Sequence, residues 1–201
     1  HGEIYDIAMR MYRYTEIHCC DPNIAGIAGR PGYYQVARQY RWRLSLYCGH
    51  AQDAIAEMEQ VIEHYPLAGT RYMACRELGD YYLYKVGQYD QAFALYEQLA
   101  LGKVYGSLSS YALKQCYIAA ARAGELAFLR AAKDDPSIDF MRPPEIKADL
   151  GLLRRTRDLA NAMSNHVGSK KLPAEEVEYV QELLKTIERE IEQQQTTLTS
   201  P

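Results

Sequence analysis

The sequence predicts an all-α protein, a short superhelix of helical hairpins with one helix before it and a helical pair after it. Three observations lead to this prediction. Apolar residues recur every three or four positions, which is the spacing of one helix face. Glycine and proline interrupt that spacing at turns. Two similar hairpin patterns, with turns at Gly49 and Gly87, recur about 38 residues apart, and such periods are typical of stacked repeats.

The composition fits a globular protein. Hydrophobic residues make up 48% of the 201 residues and the formal net charge is −3, which argues against disorder and against a generic polyanion binder. No apolar run reaches the roughly 18 residues that cross a bilayer, so we expect no membrane span. The five cysteines are spread through helical patterns, which favours reduced thiols and a cytoplasmic location. The chain opens without Met, and a removed signal sequence would instead indicate a periplasmic or envelope location.

Residues 1–32 are predicted to form an N-terminal helix and a loop rich in glycine and proline. The helical pattern covers residues 3–20 and ends at Asp21-Pro22, because proline cannot continue a helix. The glycines of the loop lack the strand and the Lys-Ser/Thr of a phosphate-binding loop, so we interpret it as a linker. The apolar positions of the helix are Ile4, Ile7, Ala8, Met11, Tyr14 and Ile17.

Residues 33–66 and 70–104 are predicted to form two hairpins of the same pattern. In the first, helices run from Tyr33 to Cys48 and from Gln52 to Tyr65. Small residues let the helices of a hairpin approach closely, and large residues fill the space between hairpins. We expect both sets to be buried: Ala54, Gly79 and Ala92 as the small residues, and Met58, Tyr82 and Tyr96 as the large ones.

A third, degenerate hairpin is predicted over residues 107–135. Its first helix covers Ser107 to Ala123, Gly124 makes the turn, and a short second helix runs from Leu126 to Ala132. A proline-bounded connector, residues 136–144, follows it.

The motifs Leu78-Gly79-x-x-Tyr82 and Gly87-x-Tyr89-x-x-Ala92-x-x-x-Tyr96 resemble the tetratricopeptide repeat family, and the resemblance covers about residues 33–135. The spacing from Tyr82 to Gly87 is one residue longer than usual, so we expect a looser turn there. In the earlier repeat Arg41-Trp42 stand where Leu-Gly is expected, and Trp42 is too bulky for the usual close helix approach. The resemblance implies a concave groove that binds a peptide or helix of a partner, as in a scaffold, an adaptor or a chaperone-like module.

By matched position, the resemblance also implies which residues line that groove. They are Gln39, Arg43, Tyr47, Arg76, Asp80, Tyr84, Tyr111 and Lys114. Cations on successive repeats, interleaved with tyrosines, suit an acidic or carboxylate-ended peptide. The asparagines of the family's carboxylate-clamp variants are missing, so a true clamp is not implied.

Residues 145–201 are predicted to form a C-terminal helical hairpin with a frayed tail. Its first helix covers Glu145 to Val167, and its second opens at Pro173. The second helix carries a heptad seam at Val177, Val180, Leu184, Ile187 and Ile191. The seam either packs onto the first helix, which we favour, or forms a homodimer. We expect the N-terminal helix or this pair to cap the stack.

Two other classes of function have sequence support. A basic cluster at Arg154, Arg155 and Arg157 would suit a nucleic-acid-linked regulatory module, but acidic residues surround it, so nucleic acid is the less favoured partner. His18-Cys19-Cys20 and Cys48-x-His50 would hold zinc if they converged, and the vicinal Cys19-Cys20 would form a redox pair, although C-x-x-C spacing is missing and buried or half-buried thiols are the favoured interpretation. No Gly-x-Ser-x-Gly, His-Glu-x-x-His or Walker motif occurs, so we expect no enzyme activity, no metal and no cofactor.

Overall fold

The computed structural model describes residues 2–18, 33–134, 147–165 and 172–199. These residues form helices and turns without any strand, which confirms the predicted all-α class. Within these ranges, no helix is both long and apolar enough to cross a membrane. The helices are α1 (Gly2–His18), α2 (Tyr33–Tyr47), α3 (Ala51–His64), α4 (Ala68–Tyr81), a π-helical turn (Tyr82–Val86), α5 (Tyr89–Ala100), α6 (Ser110–Asp134), α7 (Leu150–Ser164) and α8 (Ala174–Thr199).

The chain divides into two compact units, residues 1–78 and residues 79–201. The division falls within α4. The predicted loop over residues 21–32 and the predicted connector over 136–144 lie outside the described residues.

In the first unit, α2 packs against α1 and α3. The α2–α3 hairpin forms as the sequence predicts, with Gly49 in the left-handed region at φ 89°, where glycine has no Cβ penalty. Ala54 and Met58 are buried, as expected. The bulky Trp42 is also buried, with 1% of its surface exposed, so this position fills the core of the unit.

The face of α1 that packs against α2 carries tyrosine and methionine. The rings of Tyr5 and His50 stack with centroids 4.3 Å apart, and the hydroxyls of Tyr5 and Ser45 share a hydrogen bond of 3.1 Å. The Ser45 hydroxyl also points at the Met9 sulfur. The periodic stripe that predicted this helix therefore does not mark its packed face. Ile4, Ile7, Met11 and Tyr14 are all exposed.

In the second unit, α6 packs against α5, α7 and α8, and α7 packs against α8. Phe93, Tyr96, Leu113, Leu153 and Ile187 are fully buried and form the core.

The predicted close approach at Gly79 is confirmed within this unit. A Cβ at Gly79 would lie 3.0 Å from Cζ of the Tyr96 ring, so glycine makes room for the large aromatic residue. Tyr82, Ala92 and Tyr96 are buried, as expected.

The extra residue between Tyr82 and Gly87 is accommodated by a π-helical turn. The Gln88 N–H donates to the Tyr82 carbonyl at 3.0 Å, and Gly87 ends the turn at φ 72°. A π-helical turn inserts one residue into a helix, and such turns are frequent at functional sites. The looser turn expected from the sequence is therefore a π-helical turn that Gly87 ends.

The predicted turn at Gly124 is wrong, because α6 runs without a break from Ser110 to Asp134. Gly124 is instead the point where residues 147–149 lie against α6. A Cβ at Gly124 would lie only 1.9 Å from the Lys147 carbonyl oxygen, and the Asp149 N–H donates to the Ala120 carbonyl at 2.8 Å. The glycine permits a close backbone approach and does not end the helix.

The C-terminal pair forms with shifted bounds. The predicted start at Glu145 is wrong, because residues 147–149 are not helical; α7 begins at Leu150, where the Asp149 side chain caps the helix by accepting from the Leu152 N–H. The tail predicted to fray is helical through Thr199. In the heptad seam, Val180, Ile187 and Ile191 are buried within the single chain, as the favoured intrachain packing requires.

Candidate functional site

The predicted groove residues divide evenly between the two units. Gln39, Arg43, Tyr47 and Arg76 belong to the first unit, and Asp80, Tyr84, Tyr111 and Lys114 belong to the second. The sets in the two units differ in how their polar groups are engaged.

In the first unit, Gln39 and Arg43 on α2 hold a carboxylate of the chain itself. The Arg43 guanidinium donates to Glu77 from Nε at 2.8 Å and from Nη2 at 2.6 Å, and the Gln39 amide donates to the same carboxylate at 2.6 Å. Glu77 is buried, whereas the Arg43 side chain is 43% exposed. The hydrogen bond with Glu77 raises the pKa of Arg43 against the opposing effect of burial. Arg43 therefore binds the carboxylate of Glu77, where the sequence analysis expected it to bind an acidic group of a partner.

Glu77 is the residue of this cluster that the sequence analysis did not include. It stands on α4 next to the buried Ala74, Cys75 and Leu78, so an acidic residue occupies a core position. A buried charge requires a partner. An acidic residue between apolar positions of a helix is therefore a sequence signal for an ion pair within the chain. The other two residues of this set, Tyr47 and Arg76, are exposed.

In the second unit, two of the predicted residues, Asp80 and Tyr84, each take part in a hydrogen bond. The Tyr96 hydroxyl donates to Oδ1 of Asp80 at 2.5 Å, and the Tyr84 hydroxyl donates to Oε1 of Gln115 at 2.6 Å. Gln115 is buried, while Tyr84 is 53% exposed. The sequence reasoning missed Gln115, although it follows Lys114 directly.

The carboxylate of Asp80 influences the pKa values of both Tyr96 and Tyr84. Burial, and then the hydrogen bond to Asp80, raises the pKa of Tyr96, and the charge of Asp80 adds to the effect of burial in raising the pKa of Tyr84. Both hydroxyls therefore stay protonated at neutral pH and act as hydrogen-bond donors. Tyr111 and Lys114 on α6 are exposed. The name "α6 face" is used below for the set Asp80, Tyr84, Tyr111, Lys114 and Gln115.

The α6 face combines a rigid base with exposed, adaptable groups. The hydroxyl of Tyr84 is fixed by the buried Gln115, so its ring loses little further freedom when a partner covers it. Tyrosine offers a large contact area and a polar tip, and Lys114 supplies an exposed cation that forms no ion pair among the described residues. Such a face is suited to binding.

Two arginines of the basic cluster are engaged within the chain. Arg155 donates to Glu97 at 3.1 Å, and its guanidinium lies 4.3 Å from the centroid of the Phe93 ring. Arg157 pairs with Asp158 at 2.7 Å. Within this cluster, these contacts leave only Arg154 without an ion pair to a described residue, which weakens the case for a phosphate-binding patch.

The Cys/His cluster is described only in part. Cys19 and Cys20 lie outside the described residues, as does the side chain of His18. Cys48 is exposed at the end of α2, and His50 stacks on Tyr5. Across the described ranges, no group of three or more His, Cys, Asp or Glu residues is placed to hold a metal ion.

Comparison with family models, with curated proteins and with solved structures returned no match for this chain.

Proposed function

We propose that the chain is a tetratricopeptide-repeat-like module that binds a peptide or helix of a partner protein, as a scaffold, an adaptor or a chaperone-like component, without bond making. The observation that carries this proposal is the α6 face, where Tyr84 is more than half exposed while its hydroxyl is fixed by the buried Gln115. Exposed aromatic residues on a rigid base are typical anchors of protein interfaces. The repeat pattern of α2–α3 and of α4–α5 supports the same class.

The chemistry of the exposed groups favours an acidic or carboxylate-ended partner. Lys114 is the cation of the α6 face, and Arg76 is exposed in the first unit. Arg43 contributes less than the sequence implied, because a partner carboxylate would have to displace Glu77. Among the described residues, Cys48, Cys75 and Cys116 form no disulfide, which supports a cytoplasmic setting as part of this proposal.

Partner capture through the α6 face is tested with two matched tyrosines. A photo-crosslinking amino acid replaces Tyr84 in one variant and Tyr105 in the other; the two tyrosines are 53% and 56% exposed, and Tyr105 lies in the turn between α5 and α6. We expect crosslinking in the source cell at position 84 and little at position 105. Tyr84→Ala combined with Lys114→Glu should abolish capture, while Tyr105→Ala should retain it.

Two results would contradict the proposal. Equal crosslinking at both positions would mean that the α6 face is not selective, and capture that disappears after nuclease treatment would favour the nucleic-acid alternative. Arg43→Ala with Arg76→Ala, the pair that the sequence suggests, is a poorer test, because removal of Arg43 leaves the buried Glu77 charge without its ion pair and destabilises the fold.

A further inference from the structure

The N-terminal helix α1 exposes an apolar stripe with the spacing of a coiled-coil seam. The exposed fractions are 73% for Ile4, 52% for Ile7, 66% for Met11 and 65% for Tyr14. Their spacing of three, four and three residues places them on one face. Contiguous exposed apolar side chains of this kind mark interaction surfaces.

The charges beside the stripe have a definite order along α1. The acidic residues Glu3 and Asp6 stand in the first half, and the basic residues Arg10 and Arg13 stand in the second half. All four side chains are exposed, and none forms an ion pair with a described residue. Over residues 3–14, this order of two acidic and then two basic residues is complementary to its own copy in the antiparallel orientation, whereas a parallel pair would bring like charges together.

We propose that α1 is a homodimer surface, on which the stripes of two copies pack antiparallel about a two-fold axis. Ile7 of one copy then lies level with Met11 of the other, and Ile4 lies level with Tyr14. Glu3 and Arg10 flank the stripe on the same side, so Glu3 of one copy approaches Arg10 of the second copy, and the symmetry repeats this contact. An isologous contact of this kind closes at two copies.

The dimer surface proposed on α1 differs from the heptad seam of α8, which the sequence analysis considered as a homodimer surface. The heptad seam of α8 is covered within the chain, since Val180, Ile187 and Ile191 are buried there. Four stripe residues cover less than the roughly 800 Å² per partner of a standard interface. We therefore expect a weak dimer, with a dissociation constant on the order of 10–100 μM.

Sedimentation equilibrium of the whole chain, from about 1 μM to about 1 mM, measures the association. Ile7→Glu places a charge at the centre of the stripe and should weaken dimerisation roughly tenfold or more, since one carboxylate would face apolar side chains. Leu129→Glu is the matched control, because Leu129 on α6 is 53% exposed against 52% for Ile7. It should leave the dissociation constant unchanged. Circular dichroism confirms that both variants fold.

Charge reversal tests the orientation. Glu3→Lys with Asp6→Lys makes all four charges beside the stripe basic, and Arg10→Glu with Arg13→Glu makes all four acidic. Each variant alone should be monomeric, the mixture should form a heterodimer, and the chain with all four changes should dimerise like the original. Recovery in the fourfold variant cannot arise from damage to the helix.

Three results would overturn the α1 dimer. They are a chain that stays monomeric at all concentrations, a dimer that Ile7→Glu leaves intact, and a folded fourfold variant that stays monomeric. None of these measurements involves another protein, so their outcome is independent of partner capture by the α6 face.

Discussion

Replacement of Gly124 by alanine tests the contact between α6 and residues 147–149. In an unobstructed helix interior, Gly→Ala stabilises a protein by up to about 1 kcal/mol, because alanine is the better helix former. At Gly124 the new methyl group would lie 1.9 Å from the Lys147 carbonyl oxygen, which is well inside any van der Waals contact. The backbone of residues 147–149 must therefore move.

That movement breaks contacts whose cost can be estimated. The Asp149 N–H loses the Ala120 carbonyl, now at 2.8 Å, and the Ala148 carbonyl loses the Gln194 amide, now at 3.1 Å. Each hydrogen bond contributes about 1 kcal/mol, and forced overpacking costs about 1–3 kcal/mol. After the gain in helix propensity of about 1 kcal/mol is subtracted from these two terms, we expect Gly124→Ala to lower the free energy of unfolding by roughly 2–4 kcal/mol.

Urea unfolding followed by circular dichroism measures the change. Ala127→Gly, at an exposed position one turn further along α6, calibrates the propensity term and should cost about 1 kcal/mol. An increase in stability with Gly124→Ala would refute the reasoning, because it would show that the Lys147 carbonyl does not lie against α6.

Two further predictions concern thiols and pH. Among the described cysteines, the exposed Cys48 should be alkylated rapidly at pH 8, while Cys75 and Cys116 should react only on unfolding. The reason is that burial raises the pKa of Cys75 to about 12 and that of Cys116 further. Peptide mapping separates the sites, and early labelling of Cys75 would contradict its burial. Burial and the hydrogen bond to Glu190 raise the pKa of Tyr117 from 10.0 to about 12, so the folded state binds this proton more tightly and the free energy of unfolding should fall as the pH rises from about 10 to about 12. Tyr117→Phe should make that fall shallower, and an unchanged slope would exclude Tyr117 as its source.

The sequence predicted those parts of the fold that depend on local spacing. The period of apolar residues located the helices, and the extra residue before Gly87 predicted an altered turn, which is the π-helical turn. Gly124 shows the limit of such reasoning. Glycine is used both to end helices and to admit a neighbouring backbone, and the choice at Gly124 depends on residues 147–149, which lie more than 20 positions away.

The candidate site was predictable in its residue types and less so in their partners. Tyr84 and Lys114 are exposed, as a binding face requires. The engagement of Arg43 by Glu77 depends on how α2 and α4 meet, and no local pattern encodes that meeting. The exposure of the α1 stripe was unpredictable for the same reason. The spacing of apolar residues identifies a helix, but it does not tell which side of that helix packs against its neighbour.

The burial of Trp42 gives the molecule a built-in optical reporter. It is the one tryptophan of the chain, and its indole lies almost wholly inside the first unit. Excitation at the red edge of the absorption band, where tyrosine does not absorb, therefore reports on residues 1–78 alone. The many tyrosines contribute to the near-ultraviolet dichroism of both units, so a difference between the two signals during unfolding would reveal whether the units melt together or one after the other.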